Sequence, residues 1–361
     1  MNSDIYIRLK RELDKGNKAV VITIIDGGEK TGEAVRDKIL LTEDQLRTFD
    51  AVDSLDSAVI LRAQVALDTG NLQYFQASKG VSILAEPYFP EPRLVVLGGG
   101  HIAKPLVEFG AKVGFLVTVV DDRPIFANKD RFPNAEKIIC ESFDNCFTQL
   151  NLNEYSFVVI MTREHRHDVA CLKQLLNYKT AYIGMIGSKR SVDTVKQQLL
   201  QEGCSDALIN QVNVPIGLAI GAVTPEEIAI SIIAQAVSYR RLEGPSNNTS
   251  SDKANWPEFD RSVLEELRKD TREPRALITI IATEGSAPRR PGTKMLVWPY
   301  GMTVGSIGGG YAEGEIINAA WQVIGTGGSK LHNIDMTGQT AEEEGMVCGG
   351  VMRVLIEDYH G

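Results

Sequence analysis

A strand that runs into glycines and then into a helix offers backbone N–H groups to an anion. Residues 93–103 have this form. Arg93-Leu-Val-Val-Leu97 is a short apolar run of the buried parallel type, followed by Gly98-Gly99-Gly100-His101-Ile102-Ala103, a Gly-x-Gly-x-x-Ala turn. Gly98 permits the tight turn, Gly100 lets the backbone approach a pyrophosphate, and Ala103 lets the following helix pack close to the strand. The helix start adds positive potential. Phe115-Leu-Val-Thr-Val-Val120 then ends in Asp121-Asp122, either of which could accept from ribose hydroxyls, at the usual spacing of about twenty residues.

Two more strand ends carry polar clusters. Phe157–Met161 leads into Thr162-Arg-Glu-His-Arg-His-Asp168, and Ala181–Ser188 leads into Lys189 and Arg190. Ligands of open parallel sheets lie beyond the carboxyl ends of the strands, so both clusters would fall at a binding edge. Ser188, Lys189 and Arg190 form either an anion clamp at a helix start or a solvated helix end. His165, His167 and Asp168 are possible metal donors, but His-x-His is a loose spacing, and helix capping by Asp168 or anion binding explains the cluster as well. Metal is the lesser reading.

The elements that must position these residues follow from length and pattern. A chain of 361 residues exceeds one ordinary core and implies two or three domains. Strand, glycine turn, helix, strand and acid in order predict a Rossmann-like doubly wound parallel sheet. Thr224-Pro-Glu-Glu227 predicts a helix start with a capping box. The polar stretch Glu243 to Asp260 reads as a linker. On either side of the middle block the chain repeats itself: Ala19–Ile25 matches Arg275–Ile281, Lys38–Leu41 matches Lys294–Val297 at the same offset, and Ile83–Glu86 resembles Val354–Glu357. The expected α/β architecture is therefore a degenerate α+β module over 1–90, a Rossmann-like domain over 91–243, a linker over 244–260, and an intact α+β module over 261–361.

Composition narrows the classes of partner. A net charge of −9 argues against nucleic acid, and no long uncharged apolar run suggests a membrane span. Five cysteines, scattered and never spaced as Cys-x-x-Cys, exclude a disulfide scaffold and a four-thiolate cluster on spacing alone. A reducing cytoplasm fits that cysteine pattern best, and Met1 to Asp14 is charged and lacks the apolar core of a secretory signal. Apolar faces on both repeats favour a homodimer.

Long segments together resemble the XdhC/CoxI family, the accessory proteins of xanthine dehydrogenase and carbon monoxide dehydrogenase. The matching words are GGGHIA, VTVVDDRP, RFP, TREHRHD, YIGMIGSKR and PIGLAIGAVTPEEIAISI in the middle block, and EGSAPRRPGTKMLV, GSIGGG and GMVCGG in the last. Family members more often place the last module before the Rossmann-like one, and carry an acid where this chain has Ala219. The resemblance implies a maturation chaperone that binds molybdenum cofactor (molybdopterin or its cytosine dinucleotide), holds it for sulfuration by a cysteine desulfurase, and delivers it to a molybdenum hydroxylase of the xanthine dehydrogenase type. Independent turnover is not expected, although some members are named as xanthine dehydrogenase subunits. On that reading the cofactor-binding candidates are Gly98, Gly100, His101, Asp121, Asp122, Thr162, His165, Ser188, Lys189, Arg289, Arg290, Gly308 and Gly309. Arg289 and Arg290 would pair with the pterin phosphate, and Cys348, exposed between glycines, would ligate molybdenum or relay sulfur. The alternatives are an NAD(P)-dependent oxidoreductase, for which no Tyr-x-x-x-Lys pair is visible near the turn, and a structural subunit of a xanthine dehydrogenase complex.

Overall fold

The computed structural model describes residues 2–28, 32–48, 55–78, 80–187, 189–243, 255–258, 260–336 and 350–360. Two compact units result, Met1–Pro90 with Trp256–Gly361, and Glu91–Asn255. The first block carries α1 (Asn2–Asp14), β1 (Ala19–Gly28), β2 (Gly32–Thr42), α2 (Glu43–Thr48), α3 (Ser57–Thr69), β3 (Gln73–Ser78) and β4 (Val81–Tyr88). The middle block carries β5 (Arg93–Leu97), α4 (Ala103–Lys112), β6 (Leu116–Asp121), β7 (Lys137–Cys140), β8 (Ser156–Ile160), α5 (His165–Leu175), β9 (Tyr182–Met185), α6 (Lys189–Gln201), α7 (Asp206–Ile209) and α8 (Pro225–Ser238). The last carries α9 (Arg261–Leu267), β10 (Arg275–Gly285), β11 (Lys294–Val297), β12 (Thr303–Gly305), α10 (Gly310–Trp321), β13 (Ser329–Asp335) and β14 (Gly350–Tyr359). Among the described residues no helix is long and apolar enough to cross a membrane.

The two flanking blocks share one nine-stranded sheet, in the order β12-β11-β10-β14-β13-β2-β1-β4-β3. The repeat read from sequence is a repeat of structure. The order β2-β1-β4-β3 recurs as β11-β10-β14-β13, and the register recurs with it: Thr23 faces Lys38 and Leu84, as Thr279 faces Lys294 and Leu355. Ser329 and Glu33 join the halves between β13 and β2, while β3 approaches β10. Side chains alternate across a strand, so Val21, Thr23 and Ile25 share one face of β1, as Leu277, Thr279 and Ile281 share one face of β10. Those faces meet. Val21, Leu40 and Tyr88 pack with Leu277, Leu296 and Tyr359 in one apolar layer, and Ile25 and Leu84 with Ile281 and Leu355 in another. Helix α10 covers the opposite face of β10 through Ile316 and Ala320 against Ile278 and Ile280.

The middle unit is a five-stranded parallel sheet in the order β7-β6-β5-β8-β9, the doubly wound arrangement with its strand-order reversal at β5. Residues Leu94 to Leu97 are fully buried, as a central parallel strand requires. Val169, Leu172, Val195 and Leu199 of α5 and α6 cover one face, and α4 packs beside α8. The capping box at α8 forms as the sequence predicts: the Glu227 N–H donates to Thr224 Oγ1, and Glu227 Oε2 accepts the Thr224 N–H.

Candidate functional site

The strand-order reversal at β5 puts the glycine turn where doubly wound sheets bind ligands. Gly98 has φ +116°, and a Cβ there would lie 2.3 Å from the Met161 carbonyl oxygen, so the fold itself demands glycine. Gly100 is different. Among the described residues, its chain neighbours apart, no atom lies within 4 Å of where its Cβ would be, and the space beside it is open. The turn is held from below by Arg131, whose Nε and Nη2 donate to the Gly99 and Gly100 carbonyl oxygens at 2.9 and 3.0 Å. With the carbonyls turned inward, the N–H groups of Gly100, His101 and Ile102 meet no acceptor among the described residues. Ile102 gives α4 no side-chain cap. An uncapped helix start with free N–H groups is suited to an anion.

The two strand-end acids are already engaged. Asp121 is 1% exposed and accepts four hydrogen bonds, from the Gly99 N–H, the Arg123 N–H, and Arg123 Nε and Nη2, at 2.8 to 3.0 Å. Those four fill the capacity of a carboxylate. Burial pushes this carboxyl up, but the bonds from Arg123 and Gly99 outweigh it and hold it below the usual carboxylate range. Asp121 therefore ties β6 to the turn. Asp122 is partly exposed and receives both terminal nitrogens of Arg163, a bidentate pair. Of the two acids, Asp122 is the accessible one, and Arg163 already occupies both its oxygens.

Thr162 donates to Asp168 Oδ1 at 2.6 Å, which fixes the loop after β8 to the first turn of α5. Glu164, not Asp168, occupies the N-cap position of α5. His165 opens α5, and the His167 ring packs 5.3 Å from Phe143 with its Nε2 buried and, among the described residues, unpartnered. Among the described residues no group of three His, Cys, Asp or Glu could hold a metal ion. Lys189 opens α6, while Ser188 lies outside the described residues. His101 is exposed and lines a cleft of about 390 Å³ along the flank of α4, with Lys104, Arg131, Phe132 and Glu226. That volume lies within the usual range of small-molecule sites, about 300 to 1,000 Å³.

In the other unit the glycine- and arginine-rich words converge on one edge. A Cβ on Gly308 would lie 2.4 Å from Pro288, so the loop carrying Arg289 and Arg290 lies against the loop carrying Gly308 and Gly309. Gly350 pairs with Gly285 across β14 and β10, which brings the end of the GMVCGG word to the same edge. Arg289 Nη2 is 3.8 Å from a Glu258 carboxylate oxygen, Arg290 is exposed, and the Gly309 N–H donates to Glu313 at the start of α10. Cys348 lies outside the described residues.

Against known families, residues 94–236 match the XdhC Rossmann domain, and residues 269–335 match the XdhC and CoxI family model. The chain belongs to the XdhC and CoxI family. It is 30% identical over 161 residues to an uncharacterized Escherichia coli K12 protein, YqeB, covering 44% of this chain and 29% of that protein. It is 29% identical over 178 residues to a probable xanthine dehydrogenase subunit of Bacillus subtilis 168, covering 49% of this chain and 51% of the relative. The chain thus spans about half or less of the length of these curated relatives. Among solved structures it is similar to a xanthine dehydrogenase from Bacillus halodurans, with 25% identity, a TM-score of 0.47, and coverage of 68% of this chain and 65% of that one.

Sequence reasoning missed the arginines. Arg123, Arg131 and Arg163 decide what the turn and its acids can do. The signal was available for one of them: an arginine two residues after a strand-end aspartate can fold back onto it, as Arg123 does. Arg131 and Arg163 reach across tertiary contacts that spacing does not encode.

Proposed function

We propose that this chain serves the maturation of a xanthine dehydrogenase-type molybdenum hydroxylase, binding molybdenum cofactor while a cysteine desulfurase supplies sulfur and then delivering it to the hydroxylase. The observation that carries the reading is the turn at Gly100: open space beside a glycine that no neighbour requires, and three N–H groups at an uncapped helix start that meet no acceptor among the described residues. A Cβ would fill that cradle, so the residues present fit the diphosphate of a dinucleotide form of the cofactor. Gly100, His101 and Ile102 would hold the diphosphate through their N–H groups, Arg131 would keep the turn rigid, and Asp122 would address the ribose. In the other unit, Arg289 and Arg290 are the candidates for the phosphate of the bare molybdopterin form, and Cys348 for the metal or the transferred sulfur. When bound, the cofactor supplies the molybdenum centre that is to be sulfurated. Family membership and the B. subtilis relative named as a probable xanthine dehydrogenase subunit support the partner class.

The test is a titration of the full chain with cytidine diphosphate, molybdopterin cytosine dinucleotide and NAD, on the unsubstituted protein and on Gly100→Ala. The fold should tolerate the alanine, because among the described residues its Cβ meets no atom within 4 Å beyond those of its chain neighbours. Melting should be unchanged, and affinity for the cytosine ligands should fall at least about tenfold, the loss expected when a close backbone contact worth about 1.4 kcal/mol is blocked. Equal binding by both proteins would remove the turn from the site. Binding of NAD in preference to the cytosine dinucleotide would favour an NAD(P)-dependent enzyme.

A further inference from the structure

Six charged or hydroxyl side chains form a buried polar layer between the two apolar layers of the nine-stranded unit, and their pairing is reciprocal. Lys38, of the N-terminal repeat, pairs with Glu357 of the C-terminal repeat at 2.8 Å and donates to Thr23 at 3.0 Å. Lys294, of the C-terminal repeat, pairs with Glu86 of the N-terminal repeat and donates to Thr279 at 2.7 Å. Lys38 and Lys294 hold the same register position in their repeats, as do Thr23 and Thr279. Glu86 and Glu357 are likewise equivalent, facing Val21 and Leu277. Each lysine therefore bonds its own repeat through a threonine and the opposite repeat through a glutamate.

This is the contact pattern of an isologous interface, in which residue i of one copy meets j of the other and j meets i. The surrounding apolar layers obey the same rule: Val21, Leu40 and Tyr88 face Leu277, Leu296 and Tyr359. Helices α1 and α9, each placed before the first strand of its repeat, add Tyr6, Leu9, Val263 and Leu267 to the same cluster. A face built this way is complementary to itself.

We infer that the inner face of each repeat is a self-association surface whose fitting partner is a second copy of the same module, and that in this chain the N-terminal block occupies it as a covalently attached partner. The block lacks counterparts of GSIGGG and GMVCGG. Its role is to close the face, and the C-terminal repeat alone carries the arginine and glycine loops. Closure of the face requires no cofactor. It gives the apolar faces of the two repeats an occupant within the chain.

The test reverses the charges of one repeat in the full chain, Lys38→Glu with Glu86→Lys. Within a chain, like charges then face each other at both contacts. Between two chains, N-terminal block against N-terminal block and C-terminal against C-terminal, every contact is again cation against carboxylate. The particle mass by light scattering should double relative to the unsubstituted chain, with dissociation on dilution. A folded variant of unchanged mass and unchanged melting temperature would overturn the inference. Should the variant fail to fold, Lys38→Glu with Glu357→Lys decides. This exchange restores opposite charges within the chain, so it should keep the original mass and recover at least half of the melting temperature lost by Lys38→Glu alone. No recovery would overturn the reciprocal interface.

Discussion

Replacing Asp121 by asparagine should loosen the glycine turn and lower the stability of the middle unit. The carboxylate accepts four donors in a site 1% exposed, and asparagine leaves one oxygen for them while setting an NH2 against the other two. Removing one partner of a buried ion pair costs about 3 to 5 kcal/mol, and the lower end applies here because the Arg123 side chain is 34% exposed and can turn to water. With a urea slope of about 2 kcal/mol per molar, a loss of about 3 kcal/mol moves the midpoint down by about 1.5 M. All three tryptophans, Trp256, Trp298 and Trp321, belong to the nine-stranded unit. Far-ultraviolet ellipticity should therefore shift more than tryptophan emission. The pH dependence has a definite sign. A carboxyl held below its usual value stabilises the fold above the unfolded pKa, about 3.9, and that contribution is lost as pH falls through the lower folded value. The gap between variant and unsubstituted chain should stay constant from about pH 7 to 5 and close only below about pH 4. An ellipticity midpoint within about 0.3 M of the unsubstituted chain would refute the assignment of Asp121 as the strut of the turn.

Other consequences are checked in the same way. Lys294→Met leaves the Glu86 carboxylate buried without its cation and should cost about 3 to 5 kcal/mol, whereas Lys294→Met with Glu86→Leu should recover most of it. Urea unfolding followed by Trp298, which packs in the adjoining apolar layer, measures both, and a double variant no better than the single would contradict the account. Burial pushes the Cys146 thiol up to about 12 and Cys171 higher still, so iodoacetamide at neutral pH should label exposed Cys140 well before either. Peptide mapping that finds Cys146 or Cys171 modified as fast as Cys140 in folded protein would show that the core of the middle unit is open.

Local signals were legible because local rules generate them. The run β5, turn, α4 and β6 is set by short-range periodicity and glycine conformation, and the capping box at Thr224 by four adjacent residues. The repeat was legible because equal offsets between strand-like runs survive duplication. That the copies share a sheet was not. Lys38 and Lys294 stand in strands with no nearby hint of burial, and their partners Glu357 and Glu86 lie across most of the chain. Asp121 read as a ribose acceptor by spacing alone, yet its oxygens are taken by Arg123 and Gly99, a competition that only the folded geometry resolves. Gly100 illustrates the reverse: the motif marked it, and among the described residues only its chain neighbours come near the place where a side chain would go.

Native mass spectrometry of the freshly purified full chain, from cells supplied with molybdate, tests the central claim most directly. The account predicts a bound molybdopterin species, identified by its fragments after release, on the unsubstituted chain and its depletion on Gly100→Ala. A chain that carries NAD instead, or that runs at its bare mass and takes up no cytosine dinucleotide on addition, would contradict it.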